Sequence, residues 1–129
     1  AAHKGDAMVL TARAENHLYR GGELDDTIAR LVAYRAAGAD VLYAPGLTDP
    51  ADIAAVVAAV DAPVNVLALP DAPNVAQLGE LGVRRVSTGS LLASAAYGAM
   101  LAGARELLES GSSDYARAGL PRDVRAAAL

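Results

Sequence analysis

Within Val9-Leu10-Thr11-Ala12-Arg13-Ala14-Glu15-Asn16-His17-Leu18, an apolar run suited to a buried strand gives way to a guanidinium, a carboxylate, an amide and an imidazole. Charged side chains are rarely fully buried without a partner. A strand that runs into such a cluster therefore carries it out of a core and toward a site. Parallel α/β enzymes place their sites at this carboxyl end of the strands. Arg13 falls at that end, and its planar fork fits a carboxylate or phosphonate bidentately. A structural salt bridge to a neighbouring strand is the plainer use of the same residue. Glu15 is placed to orient Arg13 or to hold water in a metal's outer shell, and equally to be a solvated loop carboxylate. Asn16 and His17 are expected in the loop that follows. A His there can move protons near neutral pH, although a hydrogen-bonded loop residue is the more ordinary outcome.

Four further groups of residues bear on the chemistry. Asn65 interrupts the apolar run Pro63-Val64-Asn65-Val66-Leu67, and a buried amide must be hydrogen-bonded or it costs stability. It is read either as a donor to a substrate oxygen or as a polar link inside the sheet. Ser87, Thr88, Gly89 and Ser90 end a later strand and open a long helix. Backbone amides at a helix start attract a phosphate or carboxylate, while ordinary capping is the more frequent use of such residues. Tyr19-Arg20-Gly21-Gly22 lacks the strand–turn–helix spacing of a nucleotide loop and reads as a connection. Asp40, Asp49 and Asp52 fall at strand starts or helix caps, the wrong end or the wrong role for a metal site.

The elements that must position these residues follow from periodicity and punctuation. Strands are predicted at Met8–Arg13, Asp40–Ala44, Val64–Leu69 and Val83–Ser87. A helix from Asp25 or Asp26 has Ile28, Leu31, Val32 and Arg35 at helical spacing and is stopped by Gly38. A second starts at Thr48-Asp49-Pro50, with Asp49 as cap, Pro50 in the first turn and Ile53, Val56, Val57 and Val60 as its buried stripe. Asn74 with Gln77 forms a capping box before Leu78 and Leu81, and Gly82 ends that turn. A long Ala/Leu-rich helix runs from Ser90 to about Ser110, with Gly111 as its stop. Strand–helix alternation of this kind demands parallel pairing with right-handed crossovers. Four such units are half of a (β/α)8 barrel, which needs roughly 250 residues when complete. Ala1-Ala2-His3-Lys4-Gly5-Asp6 reads as the end of a helix already under way, so the chain is expected to be the second half of a barrel.

Composition narrows the function. At 129 residues, residues 1–129 are expected to form one domain. The chain is 53% hydrophobic, mostly Ala, Val and Leu with no Phe or Trp, which suits close packing of helices on a sheet. A net charge of −4 leaves no basic footprint for nucleic acid. The absence of Cys excludes disulfides and thiolate metal sites. No signal peptide and no apolar run long enough to span a bilayer is evident, so a cytoplasmic protein without membrane partners is expected.

The run Val9–Leu18 resembles the fifth-strand signature of the isocitrate lyase/phosphoenolpyruvate mutase superfamily, A-R-T-E or A-R-T-D, with Ala14 standing where that signature usually has Thr. Ala37-Gly38-Ala39-Asp40-Val41-Leu42-Tyr43-Ala44-Pro45-Gly46, Pro63–Leu67 and Leu81-Gly82-Val83-Arg84-Arg85-Val86-Ser87-Thr88-Gly89-Ser90 agree with it in order and spacing. The likeness is greatest to the carboxyvinyl-carboxyphosphonate phosphorylmutase-like branch and extends to about Gly111. It implies strands 5–8 of a TIM-type barrel, with a long C-terminal helix of the kind commonly exchanged between subunits. It further implies a Mg²⁺-dependent lyase or phosphonomutase that makes or breaks a C–C or P–C bond in a small α-oxo or α-hydroxy acid. On that likeness Arg13 and Glu15 are the catalytic residues, and Arg13, Asn65, Ser87 and Thr88 hold a carboxylate or phosphonate substrate. The metal's ligands are expected in an N-terminal half outside this chain, so the chain alone is expected to be inactive. It is expected to need that half, or further copies of itself, for stability. Two other readings stay open: the phosphate-binding half of a different barrel enzyme, centred on Ser87–Ser90, and a non-catalytic half-barrel scaffold.

Overall fold

The computed structural model describes residues 8–20 and 22–127. The expected helix end at Ala1–Asp6 lies outside them. The chain divides into two compact units, one ending at Gly89 and one beginning at Ser90.

The first unit is a four-stranded, wholly parallel sheet in sequence order: β1 (Thr11–Arg13), β2 (Val41–Tyr43), β3 (Val64–Leu67) and β4 (Arg85–Ser87). Between the strands run α1 (Asn16–Arg20), α2 (Leu24–Ala36), α3 (Pro50–Ala59) and α4 (Val75–Glu80). The register aligns Arg13 with Tyr43, Tyr43 with Asn65 and Asn65 with Arg85. Because side chains alternate along a strand, this row lies on one face of the sheet. Leu42, Val64 and Val66 lie on the other, where they meet Leu31 of α2, Ile53 and Val56 of α3 and Leu78 of α4 in one buried cluster. The helices thus cover one face and leave the other to a polar row.

Local chemistry explains the helix ends. The Asp49 carboxylate accepts from the Ala51 and Asp52 amides at the start of α3. Asn74 and Gln77 close the capping box of α4 reciprocally, as expected. Gly46, just beyond β2, has φ +96° and passes so close to the backbone of Leu18 that a Cβ would stand 3.3 Å from it. Only glycine combines that backbone conformation with that approach.

Several expectations are corrected. The strands are shorter than the apolar runs; β1 begins at Thr11, and Met8 and Val9 are exposed. Just ahead of β1, the Asp40 carboxylate accepts the Leu10 amide at 2.7 Å. Asn16 and His17 are not in a loop but open the short α1. In α2 the buried stripe is Leu24, Thr27, Ile28, Leu31 and Tyr34, while Val32 is 45% exposed. At 3.6 residues per turn Val32 stands about 100° round from Leu31 and cannot share its face.

The second unit is helical: α5 (Leu91–Ser110), a 3-10 turn (Asp114–Ala118) that packs back on α5, and α6 (Arg122–Ala127). Gly111, at φ +70°, ends α5 as its sequence requires. The return after it was not legible in the sequence. Glu106 accepts from the Ser112 hydroxyl and from the amides of Asp114 and Tyr115, and Tyr115 packs on Gly103, where no Cβ stands in its way. Ser90 makes no side-chain capping bond to α5, contrary to the capping expected of it. No helix among the described residues is long and apolar enough to cross a membrane.

Candidate active site on the open sheet face

The polar row ends at the carboxyl edge of the sheet in a cleft of about 310 Å³ lined by Thr11, Arg13, Tyr43, Arg85, Ser87 and Gly89. Its side chains come from β1, β2 and β4 at alternate positions, as the register dictates.

Arg13 is fixed on two sides. Its Nε donates to Glu15 Oε1 at 2.7 Å, and its guanidinium carbon stands 5.0 Å from the centre of the Tyr43 ring. Both partners of the ion pair are about half exposed, so the pair adds at most about 1 kcal/mol to stability. Its value is orientation. With Nε engaged, the two terminal nitrogens remain available for a bidentate anion. Stacking on Tyr43 limits the guanidinium's swing. Arg13 and Glu15 also border an outer depression with Tyr19, Arg30 and Tyr34, so one guanidinium stands between the sheet face and the α2 side.

Asn65 occupies the centre of the row and is 1% exposed. Its Nδ2 donates to Ser87 Oγ at 3.0 Å, while its Oδ1 is buried without a partner among the described residues. The Asn65–Ser87 bond pins the Ser87 hydroxyl, which lines the cleft. Thr88 is exposed and outside the cleft lining, because one step beyond Ser87 reverses the side chain's direction. Asn16 is structural: its Nδ2 donates to Thr27 Oγ1 at 2.6 Å and to Asp26 Oδ2 at 3.3 Å, tying α1 to α2. His17 keeps a buried Nε2 with no partner among the described residues.

Tyr43 and Arg85 belong to the site and were not singled out from the sequence. The signal was present: counting back by two from Ser87 reaches Arg85, and Tyr43 ends the strand that follows the Arg13 strand. What the sequence lacked was the register that lines them up.

Among the described residues no three His, Cys, Asp or Glu side chains come together in a way that could hold a metal ion. The Glu15 carboxylate is engaged with Arg13. The residues present do not fit a metal centre.

Residues 1–108 match the family described as Phosphoenolpyruvate phosphomutase. A solved protein from Burkholderia cenocepacia J2315, provisionally described as a lyase/mutase, is 53% identical, with a TM-score of 0.84 over 92% of this chain and 44% of its own. Oxaloacetate acetylhydrolase in complex with its product oxalate is 26% identical, with a TM-score of 0.71 over 90% of this chain and 39% of its own. 2,3-Dimethylmalate lyase, a PEP mutase/isocitrate lyase superfamily member, is 26% identical, with a TM-score of 0.68 over 89% of this chain and 40% of its own. The chain spans less than half the length of each of these structures, and 33% of the curated relatives it matches. It belongs to the phosphoenolpyruvate phosphomutase family, and its parallel sheet is the C-terminal half of a (β/α)8 barrel of that superfamily.

Proposed function

We propose that this chain is the acid-gripping half of a lyase or phosphonomutase whose substrate is a small α-oxo or α-hydroxy carboxylic acid. One observation carries the reading: Arg13, at the carboxyl end of β1, is held by Glu15 and Tyr43 so that its terminal nitrogens stay free. Oxalate and 2,3-dimethylmalate, the ligand and substrate named for two relatives, are small acids of the size a 310 Å³ cleft admits.

In this reading Arg13 binds a carboxylate or phosphonate and offsets negative charge that accumulates as the adjacent bond breaks. A charge fixed in place beforehand stabilises such a state without reorganising. Ser87, its hydroxyl engaged with Asn65, presents a second polar contact. Glu15 positions Arg13. Thr88 is not assigned a role. The fold family implies Mg²⁺, which we place with residues outside this chain. The chain alone is accordingly expected to lack lyase and mutase turnover.

The test is calorimetric titration of the chain with oxalate. Arg13→Lys keeps the charge and loses the fork, and is expected to weaken binding about tenfold or more, a difference of about 1.4 kcal/mol. Unchanged affinity in that variant would remove Arg13 from its role.

A further inference from the structure

Arg85 stands in the same cross-strand row as Arg13, three strands away, and lines the same cleft. At about 4.8 Å per strand the two backbones are about 14 Å apart along the sheet, and their long side chains flank the space between. Their surroundings differ. Arg13 has the Glu15 carboxylate beside it, so that end of the cleft is close to neutral. Arg85 is exposed, with no ion pair or hydrogen bond from its side chain among the described residues. Between them lie the Tyr43 ring and the buried Asn65 amide, neither of which carries charge. The cleft therefore has one compensated cation and one uncompensated cation facing each other across a short, uncharged floor.

We propose that Arg85 is a second acid-binding residue, selecting ligands with two anionic groups over ligands of the same shape with one. This rests on the acid-gripping reading of Arg13. A monoanion held by Arg13 leaves Arg85 as it is in the free protein. A second anionic group a few bonds away gains a charge-assisted contact with a guanidinium that has no competing partner to displace. Arg85 is thus a determinant of substrate charge, while Arg13 supplies the contact common to all acids.

The experiment is calorimetric titration of the full chain with malonate and with monomethyl malonate, which share a skeleton and differ by one charge, at a single ionic strength. The wild-type chain is expected to prefer malonate by about tenfold or more. Arg85→Gln should bring malonate down to the half-ester's affinity and leave the half-ester unchanged. Arg85→Lys should retain part of the preference. Arg84→Gln removes the same charge from the neighbouring position, whose side chain lies off this face, and should change neither titration. Arg13→Gln should weaken both ligands. Unaltered circular dichroism melting will show that the exposed substitutions leave the fold intact. If Arg85→Gln keeps the full preference while Arg13→Gln abolishes binding, the role of Arg85 is overturned and the reading of Arg13 stands. If neither anion binds the wild-type chain, both fall.

Discussion

Arg13 is held by contacts of opposite kinds, a carboxylate at 2.7 Å and an aromatic face at 5.0 Å. The stacking is open to direct test: Tyr43→Leu keeps the apolar bulk but removes the ring, and should lower oxalate affinity by about 0.5–1 kcal/mol. Calorimetry on that variant would read it, and unaltered affinity would show that Tyr43 only fills space. The Asn65–Ser87 pair makes a separate statement about stability. Ser87→Ala leaves a second polar atom of a 1%-exposed amide without a partner. The cost of a buried group left unpaired is about 1–3 kcal/mol, so urea denaturation should show a loss of that size. A loss below 0.5 kcal/mol, on the order of a neutral surface change, would mean that Asn65 finds another partner.

At the scale of elements, the β2–α3 loop depends on Gly46. Gly46→Ala introduces a Cβ at φ +96° and 3.3 Å from the Leu18 backbone, and should destabilise the first unit by about 1–3 kcal/mol, read from its urea midpoint. In the second unit, Glu106 ties the 3-10 turn back to α5. The Ser112 hydroxyl, and then the Asp114 and Tyr115 amides, hold its carboxyl below the ordinary range. A depressed carboxylate contributes stability above its unfolded pKa and loses it as pH falls through the folded value. The 3-10 turn should therefore loosen from α5 only on the acid side of the ordinary carboxyl range. Amide hydrogen exchange at Asp114 and Tyr115, followed against pH, should show protection lost there, and Glu106→Gln should flatten the profile. Equal pH dependence in that variant would point to another group.

On the scale of the whole molecule, the sheet has no described strand beyond β1 or β4. Edge strands present unpaired amides and carbonyls and invite further pairing. α5 also carries Leu92, Tyr97 and Met100 at about two-thirds exposure, and apolar side chains gathered on one element mark an interaction surface. The chain is expected to self-associate, or to bind the remaining half of a barrel when that is supplied. Sedimentation velocity over a concentration series should show a species heavier than the 13.1 kDa monomer. A folded monomer at every concentration would show that the four-stranded unit is self-sufficient.

Much of this fold is written in local chemistry that needs no tertiary context. Asp49 before Pro50, the Asn74–Gln77 box and Gly111 after a long apolar helix each fix a helix end through groups a few residues apart. The alternation of apolar runs with capped helices requires parallel strands, because successive strands separated by helices can return only by crossover. The sequence alone likewise placed Arg13 and Glu15 at a strand end and Asn65 and Ser87 on polar alternates. Register was beyond it. Whether Arg13 lies level with Tyr43, Asn65 and Arg85 depends on how three separate crossovers pack. That packing is set by volumes such as Leu31, Leu42 and Ile53, which are far apart in the chain. The same limit applied to Asn16, whose role rests on Thr27 and Asp26 across a turn, and to Glu106, whose partners arrive only when the chain folds back on α5. Tertiary structure alone joined residues of β1, β2 and β4 into one cleft, because a row across a sheet is a relation between strands and belongs to none of them.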